Sequence, residues 1–175
     1  MGPYTPFFNL SEAVLKSMGS IHGIPIQHAD LVELEMRSAT SMPGGLKQLM
    51  DAGFRLVTLS NSPQGAQIIQ LRHAGIDGYF ERLLSVDLVR RYKPAPQVYH
   101  MAAEELYAST SEICIVSTPV WDILGAQNVG CPAALIAGPG NSTSPKLAVH
   151  GRSAAPVAAG SDLPSVTAQL IKLWR

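Results

Sequence analysis

The sequence carries no excess charge of either sign and contains no long apolar run. Thirteen lysines and arginines balance thirteen aspartates and glutamates in a chain of 175 residues. Proteins that grip nucleic acid or an anionic membrane surface usually show a basic patch, so we expect neither kind of partner. The charge balance favours a small-molecule ligand instead.

Cysteine is scarce, and no targeting or membrane segment is recognisable. Cys114 and Cys131 lie in apolar segments without the spacing of metal ligands, which predicts small buried residues in a reducing compartment. A disulfide is the less favoured alternative. No apolar stretch approaches the roughly 20 residues of a membrane span, and the N-terminus lacks a basic start followed by an apolar stretch and a cleavage site. These features predict a soluble cytoplasmic protein.

Along the chain, a helical beginning gives way to alternating strands and helices. Residues 1–42 are predicted to form a partial helical cap, with one helix before Gly19 and a second capped by Asp30. Residues 43–175 are predicted to form the main core. The predicted strands are Phe54–Leu59, Arg82–Ser85, Ile113–Val116 and Ala133–Ala137, with a further short strand near Val157 in a loop from Gly138 to Gly160. The predicted helices are Leu46–Met50 before Gly53, Pro63–Gly75, Pro96–Tyr107, Trp121–Val129 before Gly130, and Ser165–Trp174.

This alternation is typical of an α/β protein with a Rossmann-like doubly wound parallel sheet. Ligands of such folds bind beyond the carboxyl ends of the strands, so the residues that follow each strand matter most. Three of these segments are polar: Ser60-Asn61, Lys93, and Ser117 through Asp122. We therefore expect Ser60, Asn61, Lys93 and Asp122 to meet around a single cavity.

Each polar segment also has a purely structural interpretation. Ser62 can cap the following helix, Lys93 can be a solvated loop lysine, and Trp121 is expected to pack. Asp122 can offset the positive end of its helix, an effect of roughly 0.3 to 1 kcal/mol at an exposed site. In combination, however, hydroxyl, amide and ammonium groups can bind a small anion, while Asp122 holds the lysine or polarises a water. None is a convincing nucleophile, because Ser60 has no histidine at recognisable triad spacing.

Three motifs in this order resemble those of the haloacid dehalogenase superfamily. Leu-Val-Thr-Leu-Ser-Asn-Ser-Pro, ending at Pro63, is similar to the second motif. The run from Leu84 through Lys93-Pro94, with Val98-Tyr99, is similar to the third, and Ile-Val-Ser-Thr-Pro-Val-Trp-Asp-Ile-Leu-Gly-Ala, ending at Ala126, to the fourth. Lys-Pro-x-x-x-x-Tyr and Trp-Asp-x-x-Gly-Ala are specific in combination. The resemblance covers roughly residues 43–137.

The resemblance implies hydrolytic dehalogenation of a small 2-haloalkanoic acid through an aspartyl ester. Ser60 and Asn61 would bind the substrate carboxylate and the leaving halide, and Tyr99 would also line the substrate site. Lys93 would offset the charge of a nucleophilic carboxylate. Ser117 would lie beside the reacting groups, and Asp122 would orient Lys93 or the hydrolytic water.

The superfamily also contains phosphatases, which usually hold Mg²⁺ with paired carboxylates around the fourth motif. Mg²⁺ prefers several hard oxygen ligands. Here Ser117 stands where a phosphatase usually has an acidic residue, which leaves Asp122 as the lone carboxylate. The motif therefore resembles that of the metal-independent (S)-2-haloacid dehalogenase branch, and we expect no metal or cofactor unless the phosphatase alternative holds.

The sequence departs from the family pattern in two places. The family's nucleophilic aspartate lies after the first core strand, in a segment like Asp-x-x-Gly-Thr, and neither it nor the cap's early arginine has a counterpart here. Pro119 replaces a usual asparagine, and proline supplies neither that amide nor a backbone N–H. We expect an N-terminally truncated chain without turnover, and the alternative from another class is a non-catalytic protein that binds a small carboxylate or halide.

A missing first strand also leaves a gap in the family's sheet. An uncompensated buried donor or acceptor costs about 1 to 3 kcal/mol, so we expect the gap to be filled. Either the flanking strands pair directly, or a partner chain, such as a second copy in a homodimer, contributes a strand.

Overall fold

Helices and strands alternate along the chain, as the sequence predicts. The computed structural model describes residues 4–27, 43–137, 147–149 and 152–175. The helices are α1 (Phe7–His22), α2 (Pro43–Asp51), α3 (Gln64–His73), α4 (Pro96–Leu106), α5 (Val120–Asn128) and α6 (Leu163–Trp174). The strands are β1 (Val57–Ser60), β2 (Arg82–Ser85), β3 (Ile115–Ser117), β4 (Ala133–Ile136), β5 (Leu147–Val149), β6 (Arg152–Ala154) and β7 (Ala158–Gly160).

The strands that lead into helices pair in parallel. β1 pairs with β2, in a register that joins Val57 to Arg82 and Ser60 to Ser85. β3, β4 and β7 form a second parallel sheet in that order, and β5 with β6 forms an antiparallel pair. Parallel neighbours need crossover connections, which the intervening helices supply. The α/β class with parallel sheets is thus confirmed.

The chain divides into two compact units, each assembled from separated segments. The first comprises residues 1–42 and 57–90, with α1, β1, α3 and β2. The second comprises residues 43–56 and 91–175, with the remaining elements. The expected division into a cap over residues 1–42 and a core over residues 43–175 stays a prediction, as does the means by which the sheet's gap is filled.

In the first unit, α1 continues past the glycine that was expected to end it. The helix stops at Gly23, which adopts the left-handed conformation (φ 68°) that favours glycine. Gly19 instead allows the segment after the helix to pack closely against it, since a Cβ at this position would lie 2.6 Å from Cγ1 of Ile26. The predicted second helix, with Asp30 as its cap, lies outside the described residues.

In the second unit, α6 packs against both the sheet and α2. Ala134 and Ala158 from neighbouring strands form a buried cluster with Val166 and Leu170 of α6. The Thr167 hydroxyl of α6 donates to the Gly45 carbonyl of α2 at 3.4 Å, and this hydrogen bond links the two helices. The amphipathic C-terminal helix thereby joins two layers of this unit.

The aromatic end of α6 makes a further contact near α2. The rings of Phe54 and Trp174 meet edge to face with centroids 6.5 Å apart. The Arg175 guanidinium lies 4.8 Å from the centre of the Phe54 ring and donates to the Gly53 carbonyl at 3.0 Å. Gly53 has φ 81°, so it ends α2 in the way its position predicts.

Element starts depart from prediction where a nearby side chain or proline changes the cap. α6 begins at Leu163, two residues before its predicted start at Ser165, and Asp162 caps it by accepting from the Ser165 N–H at 2.8 Å. Pro63 occupies the N-cap of α3 without any side-chain cap bond, so the prediction of Ser62 as the cap is wrong. The Ser62 N–H instead donates to Oγ of Ser60 at 3.0 Å.

Candidate functional site

The second unit contains a buried carboxylate, Asp122, that accepts hydrogen bonds from three other side chains. Lys93 Nζ donates to Oδ2 at 2.7 Å and the Ser117 hydroxyl donates to the same oxygen at 2.8 Å. The Tyr99 hydroxyl donates to Oδ1 at 2.7 Å. The Asp122 side chain is 1% exposed and that of Lys93 14%, so the pair is an ion pair largely removed from water.

One strand, two helices and the segment before one of these helices supply these groups. Ser117 ends β3, and Asp122 lies in the first turn of α5, three residues after the N-cap residue Pro119. Lys93 precedes α4, while Tyr99 lies within that helix. The carboxyl end of a parallel strand and two helix starts thus converge, which is where an open α/β sheet normally places its ligand site.

The ionisation of Tyr99 is strongly suppressed in this position. Burial first, and then the hydrogen bond to Asp122, raise the pKa of Tyr99 well above its usual range. The hydroxyl also lies 3.2 Å from the Asp122 carbonyl oxygen. Because the side chain is fully buried and remains protonated, it acts as a fixed donor that orients the carboxylate.

Gly125 is a part of this cluster that reasoning from the sequence missed. A Cβ at this position would lie 2.5 Å from the Tyr99 hydroxyl oxygen and 2.6 Å from Cβ of Pro94. The absence of a side chain therefore lets both the tyrosine and the Lys93-Pro94 segment approach α5. The Gly in Trp-Asp-x-x-Gly-Ala was a signal for close approach that could have been read from the motif.

Ser60 and Asn61 belong to the first unit. Ser60 pairs with Ser85 at the end of the β1–β2 ladder, and Asn61 follows it. Ser60 lines an open cavity of about 180 Å³ together with Thr58, Gln67 and Leu71. Their expected convergence with Lys93 and Asp122 stays a prediction. The structure brings together the other four predicted residues, Lys93, Tyr99, Ser117 and Asp122.

Buried Gln67 holds the segment that carries Ser60, a role that was not predicted from the sequence. Its Nε2 donates to the carbonyls of Ser62 and Leu84, both at 3.1 Å, while Oε1 accepts from Thr58 at 2.5 Å. The carboxamide thus joins β1, β2 and the turn into α3. A glutamine on an otherwise ordinary helix face has no distinguishing sequence signal.

Two residues beside Asp122 differ from expectation or from the family pattern. Trp121 was expected to pack, yet it is 42% exposed, because its position on α5 turns it away from the buried face that carries Asp122 and Ile123. Pro119 occupies the N-cap of α5, and its carbonyl accepts from the Asp122 N–H at 3.0 Å. The position requires a carbonyl rather than an N–H, so proline fits it.

The part of the chain that the structure describes shows no cluster of three or more His, Cys, Asp or Glu side chains able to hold a metal ion. Both oxygens of Asp122 already accept from neutral or cationic donors. Within the same described residues, no helix has the length and apolar character needed to cross a membrane.

Cys114 and Cys131 are both free cysteines in the structure. Cys131 is buried and Cys114 half-buried. Burial raises the pKa of Cys114 to about 12 and that of Cys131 to about 11, and each thiol therefore stays protonated near neutral pH. A thiol with a raised pKa is a poor nucleophile near neutral pH.

Comparisons with known proteins agree with the motifs. The family model for haloacid dehalogenase-like hydrolases matches residues 27–130. The chain is 38% identical over 109 residues to an (S)-2-haloacid dehalogenase of Pseudomonas sp. strain YL, covering 62% of this chain and 47% of the relative. It is 32% identical over 135 residues to (S)-2-haloacid dehalogenase 1 of Pseudomonas sp. strain CBS-3, covering 74% of this chain and 60% of the relative.

Solved structures give the same picture. The crystal structure of an L-2-haloacid dehalogenase superimposes with a TM-score of 0.81 at 29% identity, covering 97% of this chain and 74% of that one. The chain spans only about half to three fifths of the length of the two curated relatives. The family match nevertheless extends over more than half of the sequence and includes the Lys93, Tyr99, Ser117 and Asp122 cluster. The chain belongs to the haloacid dehalogenase-like hydrolase family.

Proposed function

We propose that this chain provides the charge-balancing part of a 2-haloacid dehalogenase site. The observation that carries the proposal is the buried Lys93–Asp122 pair, with Tyr99 and Ser117 as its fixed donors. Named dehalogenases among the relatives support the substrate class, a small (S)-2-haloalkanoic acid. No metal ion or cofactor is part of the proposal.

The charges of the cluster suit an incoming carboxylate. Lys93 and Asp122 compensate each other, and Asp122 is the more deeply buried of the two. A second carboxylate brought to the more exposed side of the pair would meet the ammonium group first. Desolvated opposite charges attract far more strongly than they do in water, so Lys93 would hold such a group ionised and in place.

The reaction would proceed in two steps. A carboxylate oxygen attacks C2 of the haloacid, a C–O bond forms, and the C–halogen bond breaks as the halide leaves with the bonding electrons. Water then adds to the carbonyl carbon of the resulting ester, which releases a 2-hydroxy acid and restores the carboxylate. Asp122 would accept a hydrogen bond from Lys93 or from that water, and Ser60 and Asn61 would bind the substrate carboxylate and the halide.

The 175 residues contain no Asp-x-x-Gly-Thr sequence that would supply the attacking carboxylate, and the related run Asp122-Ile-Leu-Gly-Ala lies in α5, where Asp122 already pairs with Lys93. We therefore propose that this chain alone has no turnover. Purified chain incubated with (S)-2-chloropropionate should release no chloride above the buffer blank. Chloride release that depends on enzyme concentration would refute the assignment of the nucleophile to a separate segment.

The complementary experiment supplies the missing group. We define the completed chain as these 175 residues preceded by the first-strand segment of a dehalogenase relative, with its aspartate. It should release chloride from the (S) substrate, whereas the same fusion with asparagine in place of that aspartate should not. Lys93→Met should abolish release, while the control Lys47→Met, at a position 62% exposed on α2, should not. A folded completed chain without activity would refute the dehalogenase function.

A non-catalytic role in binding a small anion is the second candidate, favoured by an intact cluster in a chain without the nucleophile. Calorimetric titration of the 175-residue chain with (S)-2-chloropropionate distinguishes the two. Saturable binding that Lys93→Met removes, together with an inactive completed chain, would select the binding role. A Mg²⁺-dependent phosphatase is disfavoured because Ser117 donates to Asp122 where a second carboxylate would be needed.

A further inference from the structure

We propose that Gly125 is a positioning residue, whose lack of a side chain sets the distances at which Lys93 and Tyr99 reach Asp122. The inference rests on the proposed function only for its catalytic consequence. Its structural content concerns the hydrogen bonds of the cluster, and these can be measured in the 175-residue chain without any turnover.

The close approach involves Tyr99, which donates to Asp122, and Pro94, which directly follows the donor Lys93. A Cβ on residue 125 would lie 2.5 Å from the Tyr99 hydroxyl oxygen, 2.6 Å from Cβ of Pro94 and 3.0 Å from Cα of Pro94. Contacts between non-bonded heavy atoms are favourable near about 3.5 to 4.0 Å. An alanine would therefore displace the tyrosine hydroxyl and the Lys93-Pro94 backbone by about 1 Å.

Such a displacement acts on the bonds that fix the carboxylate. Gly125 lies three residues after Asp122, so both face the same side of α5. The Tyr99–Oδ1 and Lys93–Oδ2 distances are both 2.7 Å, and an added 1 Å would take each beyond hydrogen-bonding range. The Ser117 bond comes from β3 and would remain. Asp122 would keep one of its three donors.

The alternative is that Gly125 serves close packing alone, and Gly45 provides the matched control. A Cβ on Gly45 would lie 2.6 Å from Cγ of Leu163, a similar collision in the same unit but against an apolar side chain. Gly44, also in α2, has open space around the added atom and serves as the neutral control. Gly45→Ala should lower the melting temperature without altering the signals of Tyr99.

The test uses tyrosine labelled with ¹³C at the ring carbon that bears the hydroxyl, with the Tyr99 signal assigned from Tyr99→Phe. In the unaltered chain this signal should stay constant through pH 10.0, the ordinary pKa of a tyrosine, because burial and Asp122 oppose ionisation of the tyrosine. In Gly125→Ala the signal should shift at neutral pH and begin to titrate at lower pH. An unchanged signal and titration, with a loss of stability matching that of Gly45→Ala, would overturn the proposal.

A second variant covers the case in which Gly125→Ala does not fold. Tyr99→Phe removes the oxygen that would lie 2.5 Å from the new Cβ, so Tyr99→Phe/Gly125→Ala should be more stable than Gly125→Ala alone. A double variant no more stable than Gly125→Ala would refute the proposal.

The catalytic consequence is tested separately in the completed chain. A misplacement of about 1 Å in a reacting group can lower the rate by roughly 100-fold, so Gly125→Ala should lower kcat by about that factor. KM should change less, since the substrate carboxylate and halide are assigned to other residues. If the completed chain itself is inactive, the proposed function fails, while the ¹³C measurement still decides the role of Gly125. Unchanged kcat in an active completed chain would count against the role.

Discussion

Removing one member of the Lys93–Asp122 pair should be far more damaging than removing both. Lys93→Met leaves the Asp122 carboxylate, 1% exposed, with only the neutral donors Tyr99 and Ser117. Breaking a buried ion pair from one side typically costs about 3 to 5 kcal/mol. Because Lys93 retains 14% exposure and two donors remain, we expect the lower end, about 3 kcal/mol.

The size of this effect can be compared within one chain. In a protein of this length about 3 kcal/mol lowers the melting temperature by roughly 6 to 12 °C. The exposed pair Lys47–Asp51, one helical turn apart on α2, has the same 2.6 to 2.7 Å geometry but should contribute only about 0.3 to 0.5 kcal/mol. Lys47→Met is therefore the matched control, since it differs in burial rather than in bond length.

The double variant Lys93→Met/Asp122→Leu completes the experiment. It removes both charges. Its free energy of unfolding should therefore be at least about 2 kcal/mol higher than the value obtained by adding the losses measured for Lys93→Met and for Asp122→Leu. Urea denaturation followed by circular dichroism gives the free energy of unfolding of the unaltered chain, the two single variants, the double variant and the control Lys47→Met. Two results would contradict this reasoning: losses of stability that simply add in the double variant, or a Lys93→Met protein as stable as Lys47→Met. Either would show that water still screens the charges of the Lys93–Asp122 pair.

Three further outcomes are expected. Cys114 and Cys131, with pKa values raised by burial to about 12 and 11, should resist iodoacetamide at pH 8 and react fully in urea. The folded protein holds the thiol protons more tightly than the unfolded chain does. The resulting contribution to stability is complete below the unfolded pKa of about 8.5 and declines as pH rises towards 11. A urea midpoint that stays constant over this pH range would contradict the raised pKa values. Tyr99→Phe should lower the free energy of unfolding by about 1 to 2 kcal/mol, because Asp122 loses a buried donor, and Phe in place of exposed Tyr107 should not. Gln67→Leu should cost about 2 to 3 kcal/mol by stranding two carbonyls, measured by the same urea titration against exposed Gln64→Leu as control.

The elements that the sequence predicted well are those with a strong local signal. Ala133–Ile136 is a continuous apolar run, and Gly53 and Gly130 both take the positive φ that their positions after helices imply. Weak signals failed: β5 and β6 are three residues each, too short for alternation to be recognised, and they lie in a segment rich in Gly, Ser and Pro.

The candidate site was predictable to the extent that motif residues carry it. Lys93, Tyr99, Ser117 and Asp122 were all selected from the sequence, and they share one set of hydrogen bonds. Gly125 and Gln67 were not selected, because their roles depend on groups brought near by tertiary structure. The close packing around Gly125 and the hydrogen bonds that Gln67 makes to two strands can be recognised only once the tertiary structure is known.

The docking of α2 on α6 also governs when the second unit can be completed during synthesis. Gly45 and Thr167, which the hydrogen bond joins, are 122 residues apart in the chain. Leu46 and Leu49 of α2 are buried in the finished protein, yet they leave the ribosome long before the last helix has been translated. Throughout that interval their side chains have no native surface to cover them, so stalled or prematurely released chains present an adhesive apolar helix to chaperones and to one another.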